Sequence, residues 1–139
     1  MSMHELRILV ADDEPAVRQQ MERIIRGHGH HYEGVEDGRM CLQKLQQGVY
    51  DVLFIDLFMP TLDGLHVLSF ARNHSPSTRL IVISSLDDEP TIEQVLKNGA
   101  SAFLLKPLQD AAITEVINRV ASGTISQDLT PKPNSNPTP

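Results

Sequence analysis

Apolar residues along this chain follow two rhythms that alternate from end to end. Short continuous runs, Ile8-Leu9-Val10, Tyr32 to Val35, Val52 to Ile55, Leu80 to Ile83 and Phe103 to Leu105, read as strands. After each run, apolar side chains recur every three or four positions, the period of a helix. Val17, Met21, Ile24 and Ile25 form the first stripe, stopped by Gly27. Cys41, Leu42 and Leu45 form the second, which Asp37 opens as a cap and Gly48 ends. Leu65, Leu68 and Ala71 follow Gly64 and end before Pro76, which cannot continue a helix. Pro90 suits a first turn ahead of Ile92, Val95 and Leu96, and Asn98-Gly99 closes that helix. Ile113, Val116, Ile117 and Val120 form the last stripe.

Strand and helix alternating in this way predict an α/β fold, a parallel sheet with helices on both faces. The third run is almost wholly apolar, as a strand covered on both sides should be. The second is half polar and suits a sheet edge. The rhythm stops after Gly123. Residues 124–139 hold four prolines and two apolar residues, Ile125 and Leu129, and cannot bury enough surface to fold. The expected organisation is one domain over 5–122 and a disordered Pro/Ser/Thr-rich tail or linker over 123–139. Such a linker fits a free-standing domain or the front piece of a longer protein.

Four of the five runs end at polar residues: Asp12-Asp13, Asp56, Ser84 and Lys106. Strands of an open parallel sheet end at one edge, so these side chains should converge in one crevice. Gathered carboxylates raise one another's pKa and are costly together unless they share a cation. No cysteine is adjacent and no histidine is suitably placed, so the ligands are hard oxygens, favouring magnesium or manganese over zinc. A carboxylate can also act as a nucleophile and form an acyl phosphate. Phosphoryl transfer is mainly positioning and neutralisation of oxygens. The metal would cover one oxygen, Lys106 a second and Ser84 a third.

Composition narrows the field. A formal charge of -6 over 139 residues argues against broad attraction to DNA or anionic membrane. No run of Lys and Arg marks a nucleic-acid stripe. Cys41 is the sole cysteine, which excludes an internal disulfide and a cysteine-based zinc site, and its apolar helical setting reads as core. No window approaches the ~20 apolar residues of a membrane span. The polar start leads directly into a strand, and a cytoplasmic location is expected. His28, His30 and His31 cluster in a Gly-rich turn away from the crevice and read as turn residues, and Gly27-His28-Gly29 lacks the spacing of a dinucleotide fingerprint.

The motifs Val10-Ala11-Asp12-Asp13-Glu14, Asp56-Leu57-Phe58-Met59-Pro60 with Asp63-Gly64, Ile83-Ser84 and Leu105-Lys106-Pro107 occur in order, each at a strand end. Over roughly Leu6 to Ala121 the chain resembles the receiver domain of bacterial two-component response regulators. The resemblance implies a flavodoxin-like, doubly wound (βα)5 fold with strand order 2-1-3-4-5. It implies that Asp56 accepts a phosphoryl group from a histidine kinase or histidine phosphotransfer protein in a phosphorelay. It also implies that Asp13, Asp56 and the Phe58 carbonyl bind magnesium, with Asp12 helping through water. Lys106 would pair with the phosphoryl group, Ser84 would swing toward it, and Phe103 would turn inward as an aromatic switch. The readout would be the face of the fourth helix, fifth strand and fifth helix, toward a protein target, an output domain or a second copy. Pro15, Arg18, Gln19 and Glu22 on the first helix would set partner choice. Ser85 stands where a small apolar residue is usual, and Phe58 and Leu86 stand where side chains gate attacking water, which implies slow hydrolysis.

Two other classes compete. A haloacid-dehalogenase-type hydrolase also uses a strand-end aspartate and magnesium, but needs a second aspartate two residues on, where this chain has Phe58. A flavodoxin-like nucleotide or flavin binder needs a Ser/Thr-rich or Gly-rich phosphate cradle after the first strand, and none is present. The favoured expectation is a signalling switch with chemistry confined to its own Asp56, acting by protein contacts. The alternative is an N-terminal receiver of a larger regulator with a DNA-binding, phosphatase or cyclic-dinucleotide output domain.

Overall fold

The computed structural model describes residues 5–123. Ten elements alternate: β1 (Arg7–Ala11), α1 (Pro15–Gly27), β2 (His31–Val35), α2 (Gly38–Gln47), β3 (Val52–Asp56), α3 (Gly64–His74), β4 (Arg79–Ser84), α4 (Glu89–Lys97), β5 (Ala102–Leu105) and α5 (Asp110–Ala121). The strands form one parallel sheet in the order β2-β1-β3-β4-β5. The parallel sheet is the one the alternating pattern predicts, and its order is the one the family resemblance implies. The Pro-rich stretch 124–139, expected to be a tail, lies outside the described residues.

The sheet separates two cores. Side chains alternate across a strand, so Ile8 and Val10 of β1 and Val52 and Phe54 of β3 point to the face covered by α1 and α5. There they meet Met21, Ile25, Ile113 and Ile117. Leu9, Leu53, Ile55 and Val82 point the other way, against Cys41, Leu45, Leu68 and Val95 from α2, α3 and α4. β3 is buried along its whole length, while edge strand β2 is mostly exposed or half-buried. That is why one run is apolar throughout and the other half polar. Burial also pushes the Cys41 thiol up to about 12, so it packs as a small apolar residue.

Helix starts are fixed locally. Asp37, Asp63 and Asp88 accept hydrogen bonds from the backbone N–H groups of Met40, His66 and Thr91 at the heads of α2, α3 and α4. Asp88 therefore caps α4. Register then sets up the functional edge. Ala11 pairs with Ile55, so Asp12 comes level with Asp56, and Ser84 pairs with Leu105, which puts Lys106 one step beyond. The backbone N–H of Lys106 donates to the Ser84 carbonyl at 2.8 Å.

Two features hold the loop after β3. Thr61 has a left-handed φ of 71°, and its Oγ1 accepts from the Arg39 N–H at 3.3 Å, tying the loop to the start of α2. Gly64 presses on the end of β3. A Cβ there would stand 2.5 Å from the Asp56 carbonyl oxygen and 2.7 Å from the Leu57 Cα. Gly64→Ala is expected to cost about 1–3 kcal/mol, as overpacking against backbone does. Urea unfolding measures it, and a midpoint equal to wild type would contradict the close approach.

The loop between α1 and β2 gives a pH dependence. Buried His30 accepts the Leu6 N–H on Nδ1 at 3.0 Å, and burial, reinforced by His28, holds it below its ordinary value. The unfolded chain then binds a proton that the folded one refuses. Stability from this group is present above roughly pH 6.5 and lost as pH falls below it. Urea titrations between pH 7.5 and 5 (roughly the range over which such a histidine titrates) should show the decline. The decline should be weaker in His30→Gln.

Candidate functional site

Beyond the carboxyl ends of β1, β3 and β5 lies an open cleft of about 570 Å³, lined by Asp13, Asp56, Phe58, Ser85 and Lys106 among others. Asp12 does not line the cleft; it is fully buried behind Lys106. Asp12 Oδ1 accepts the Glu14 N–H at 2.9 Å, while Oδ2 has no hydrogen-bond partner among the described residues and faces the Lys106 ammonium 3.0 Å away. Asp56 Oδ1 accepts the Phe58 N–H at 3.1 Å, and its Oδ2 accepts from Lys106 Nζ at 3.1 Å. Glu14 stands 3.4 Å from the same ammonium. Asp13 is exposed at the rim, and one oxygen from each of Asp12, Asp13 and Asp56 lies within 4.8 Å of the others.

This concentration of charge is expensive. Burial raises the Asp12 and Asp56 carboxyls above their ordinary values, although backbone N–H groups and Lys106 pull the other way. On Lys106, burial is the largest single influence and favours the neutral amine. Bonds to Asp12 and Asp56 together outweigh it and hold the ammonium above its usual range. Three carboxylates against one ammonium leave an excess of negative charge that a hard divalent cation would match. Asp12 Oδ2, whose one close polar contact among the described residues is the Lys106 ammonium, is an oxygen such an ion would engage.

The structure brings Asp12, Asp13, Asp56 and Lys106 together and places the backbone of Phe58 beside Asp56. Ser84 is different. Its side chain is fully buried and its Oγ accepts the Leu86 N–H at 3.0 Å, so Ser85 is the serine that lines the cleft. Phe103 is already inside, packed in the core beside Val82. The first helix also presents other residues than its apolar stripe suggests. Its cleft wall is Ala16, Val17 and Gln20. Arg18 donates to the Asp12 carbonyl at 2.7 Å, and Glu22 pairs with Arg26 at 2.8 Å, whose guanidinium lies over Tyr32 of β2. Pro15 and Gln19 are exposed.

Gln20 and Glu14 were not singled out by sequence. Counting three or four along the helix from Asp13, through Ala16 and Val17 to Gln20, would have found the first. The histidines do not form a ligand set: His28 contacts the Ile24 carbonyl, His30 the Leu6 N–H, and His31 pairs with Glu5 at 3.5 Å.

A carboxylate cluster with one ammonium stands at the carboxyl edge of a flavodoxin-like α/β sheet, an arrangement that could hold a metal ion. The sequence pattern described as "Response regulator receiver domain" matches residues 8–118, and the chain belongs to that family. The chain is 27% identical over 116 residues to the chemotaxis protein CheY of Thermotoga maritima, covering 83% of this chain and 97% of that protein. It is 30% identical over 127 residues to the probable transcriptional regulatory protein NarL of Mycobacterium tuberculosis, covering 90% of this chain but 57% of NarL. The solution structure of the beryllofluoride-activated NtrC4 receiver domain dimer superposes with a TM-score of 0.79 at 27% identity, covering 85% of this chain and 98% of that one. Domains of this family are signalling switches of two-component systems.

The charge excess gives a direct test. Asp13→Asn removes one of three like charges without touching the core, and should stabilise the chain in EDTA by roughly 0.5–1 kcal/mol. Urea unfolding checks the sign. A loss of stability would contradict the repulsion.

Proposed function

We propose that this domain takes a phosphoryl group from a phosphohistidine of a partner kinase or phosphotransfer protein onto Asp56. An Asp56 oxygen attacks phosphorus in line, the P–N bond breaks, and the electron pair and a proton go to the departing imidazole. The observation that carries this reading is the Lys106 ammonium held between Asp12 and Asp56 at 3.0 and 3.1 Å with Asp13 at the rim. Asp12, Asp13, Asp56 and the Phe58 carbonyl would hold magnesium or manganese. Bound there, the ion would neutralise charge on a phosphoryl oxygen.

The protein groups then change partners. The Phe58 N–H orients the carboxylate, and Lys106 moves from Asp56 Oδ2 to a phosphoryl oxygen. Among the described residues Ser84 Oγ accepts from Leu86 and has no acceptor for its own proton, which would then be offered to the phosphoryl group once the side chain turns. These contacts exist only in the phosphorylated arrangement, and each shifts population toward it. The surface that changes is the face of α4, β5 and α5, where Leu96 and Leu105 are exposed, and a second copy or an output partner would read it. The NtrC4 receiver dimer in its beryllofluoride-activated form supports the dimer reading. Docking of the kinase on α1 would involve Pro15, Arg18, Gln19 and Glu22. The acting unit is residues 5–122, in the cytoplasm, and its chemistry stays on its own Asp56.

A second reading is favoured by coverage: the chain spans 57% of NarL, so a longer regulator with an output domain would carry this receiver at its front. A dehalogenase-type hydrolase fits less well, because Phe58, 56% exposed at the cleft, occupies the place of that class's second aspartate.

Intact mass after acetyl phosphate with magnesium should show one added phosphoryl group on wild type and none on Asp56→Asn. Labelling of the variant would contradict the assignment. Phe58, which lines the cleft, and Leu86, exposed just past Ser85, should slow water attack. A time course by mass should give a phosphoryl lifetime of minutes in wild type, shortened in Phe58→Asn. A wild-type lifetime of seconds would contradict the gate.

A further inference from the structure

The loop that delivers Lys106 is anchored from two sides, and only one anchor belongs to the sheet. On the sheet side, the Lys106 N–H donates to the Ser84 carbonyl at 2.8 Å, and Leu108 is buried under α1 and α5. On the other side is Gln20 of α1. Its Nε2 donates to the Leu108 carbonyl at 2.9 Å and to Asp110 Oδ1 at 2.8 Å. Both amide protons are thus committed to the segment starting two residues beyond Lys106. Arg23, one position short of a full turn along α1, holds the same Asp110 at 3.2 Å. Gln20 also forms part of the cleft wall.

We propose that Gln20 is a positioning residue for phosphoryl transfer: it clamps the Lys106-bearing loop to α1 and so holds the ammonium where the phosphoryl oxygens arrive. The proposal rests on Asp56 being the acceptor. Asp12 and Asp13 lie in the loop after β1 and Asp56 ends β3, whereas the Gln20 amide bonds go to Leu108 and Asp110, so loosening the clamp leaves the carboxylate cluster in place. Lys106 reaches the cluster on a flexible four-carbon stem, so its aim depends on where its backbone is held. A displacement of about 1 Å in such a group is enough to slow a positioned reaction strongly. The same clamp joins the chemistry to the helix on which a partner would dock. A partner that shifts α1 therefore shifts the Lys106 loop.

Phosphorylation by acetyl phosphate, followed by intact mass at saturating magnesium, tests this in four chains: wild type, Gln20→Leu, Lys106→Ala and the double variant. Leucine keeps the side-chain bulk and removes both N–H donors. Gln20→Leu should lower the maximal rate on the order of tenfold. It should leave half-saturating acetyl phosphate, and the magnesium concentration for half-maximal thermal stabilisation, within about twofold of wild type. In the Lys106→Ala background, where there is no ammonium to aim, Gln20→Leu should change the rate less than about twofold. A Gln20→Leu chain that matches the wild-type rate overturns the proposal, as does one that loses rate equally in both backgrounds or loses magnesium affinity in step with rate. A wild type that gains no phosphoryl group overturns the phospho-acceptor reading and this proposal with it.

Discussion

One ammonium shared by two buried carboxylates organises the functional end of this molecule. Lys106 stands 3.0 Å from Asp12 and 3.1 Å from Asp56, and without it two desolvated negative charges would face each other at the end of adjacent strands. With it, the cluster is tolerated but still carries more negative charge than positive. In the function proposed for this site, that imbalance makes room for a divalent cation and gives Lys106 a reason to follow the charge when a phosphoryl group arrives.

The rest of the fold holds this arrangement in place. Parallel register brings Asp12 level with Asp56, and the β4–β5 pairing puts Lys106 one step past Ser84. Gly64 lets α3 close tightly on the end of β3, and Thr61 accepts a left-handed backbone to tie the following loop to α2. Neither contributes a functional atom. Both fix the backbone that carries the Phe58 carbonyl and N–H.

Most of this was legible in the sequence, because the strand-end rule needs only the positions where apolar runs stop. Asp12, Asp13, Asp56 and Lys106 follow from it, as do the five βα units. What the sequence could not supply depends on rotation and turn geometry. Ser84 and Ser85 are neighbours, yet the first is the last residue of β4 and points inward while the second turns to the cleft. Along α1 the apolar stripe marks the core face but not which flank meets β2 and which meets the cleft. Arg18 and Glu22 fall on the first flank and Gln20 on the second. The left-handed Thr61 carries no sequence signal, since a β-branched residue is among the least expected there. The Gln20 clamp joins residues 88 and 90 positions apart and appears only once α1 and α5 are packed.

The central claim is that the Lys106 ammonium exchanges Asp56 for an incoming phosphoryl group within a cation-filled carboxylate pocket. A crystal structure of the chain with magnesium and beryllofluoride, a stable mimic of an acyl phosphate, tests it most directly. The account predicts beryllium bonded to an Asp56 oxygen, the cation among Asp12, Asp13 and the Phe58 carbonyl, and Lys106 Nζ moved onto a fluorine. A structure in which Asp56 stays bare, with Lys106 still between the two carboxylates, would contradict it.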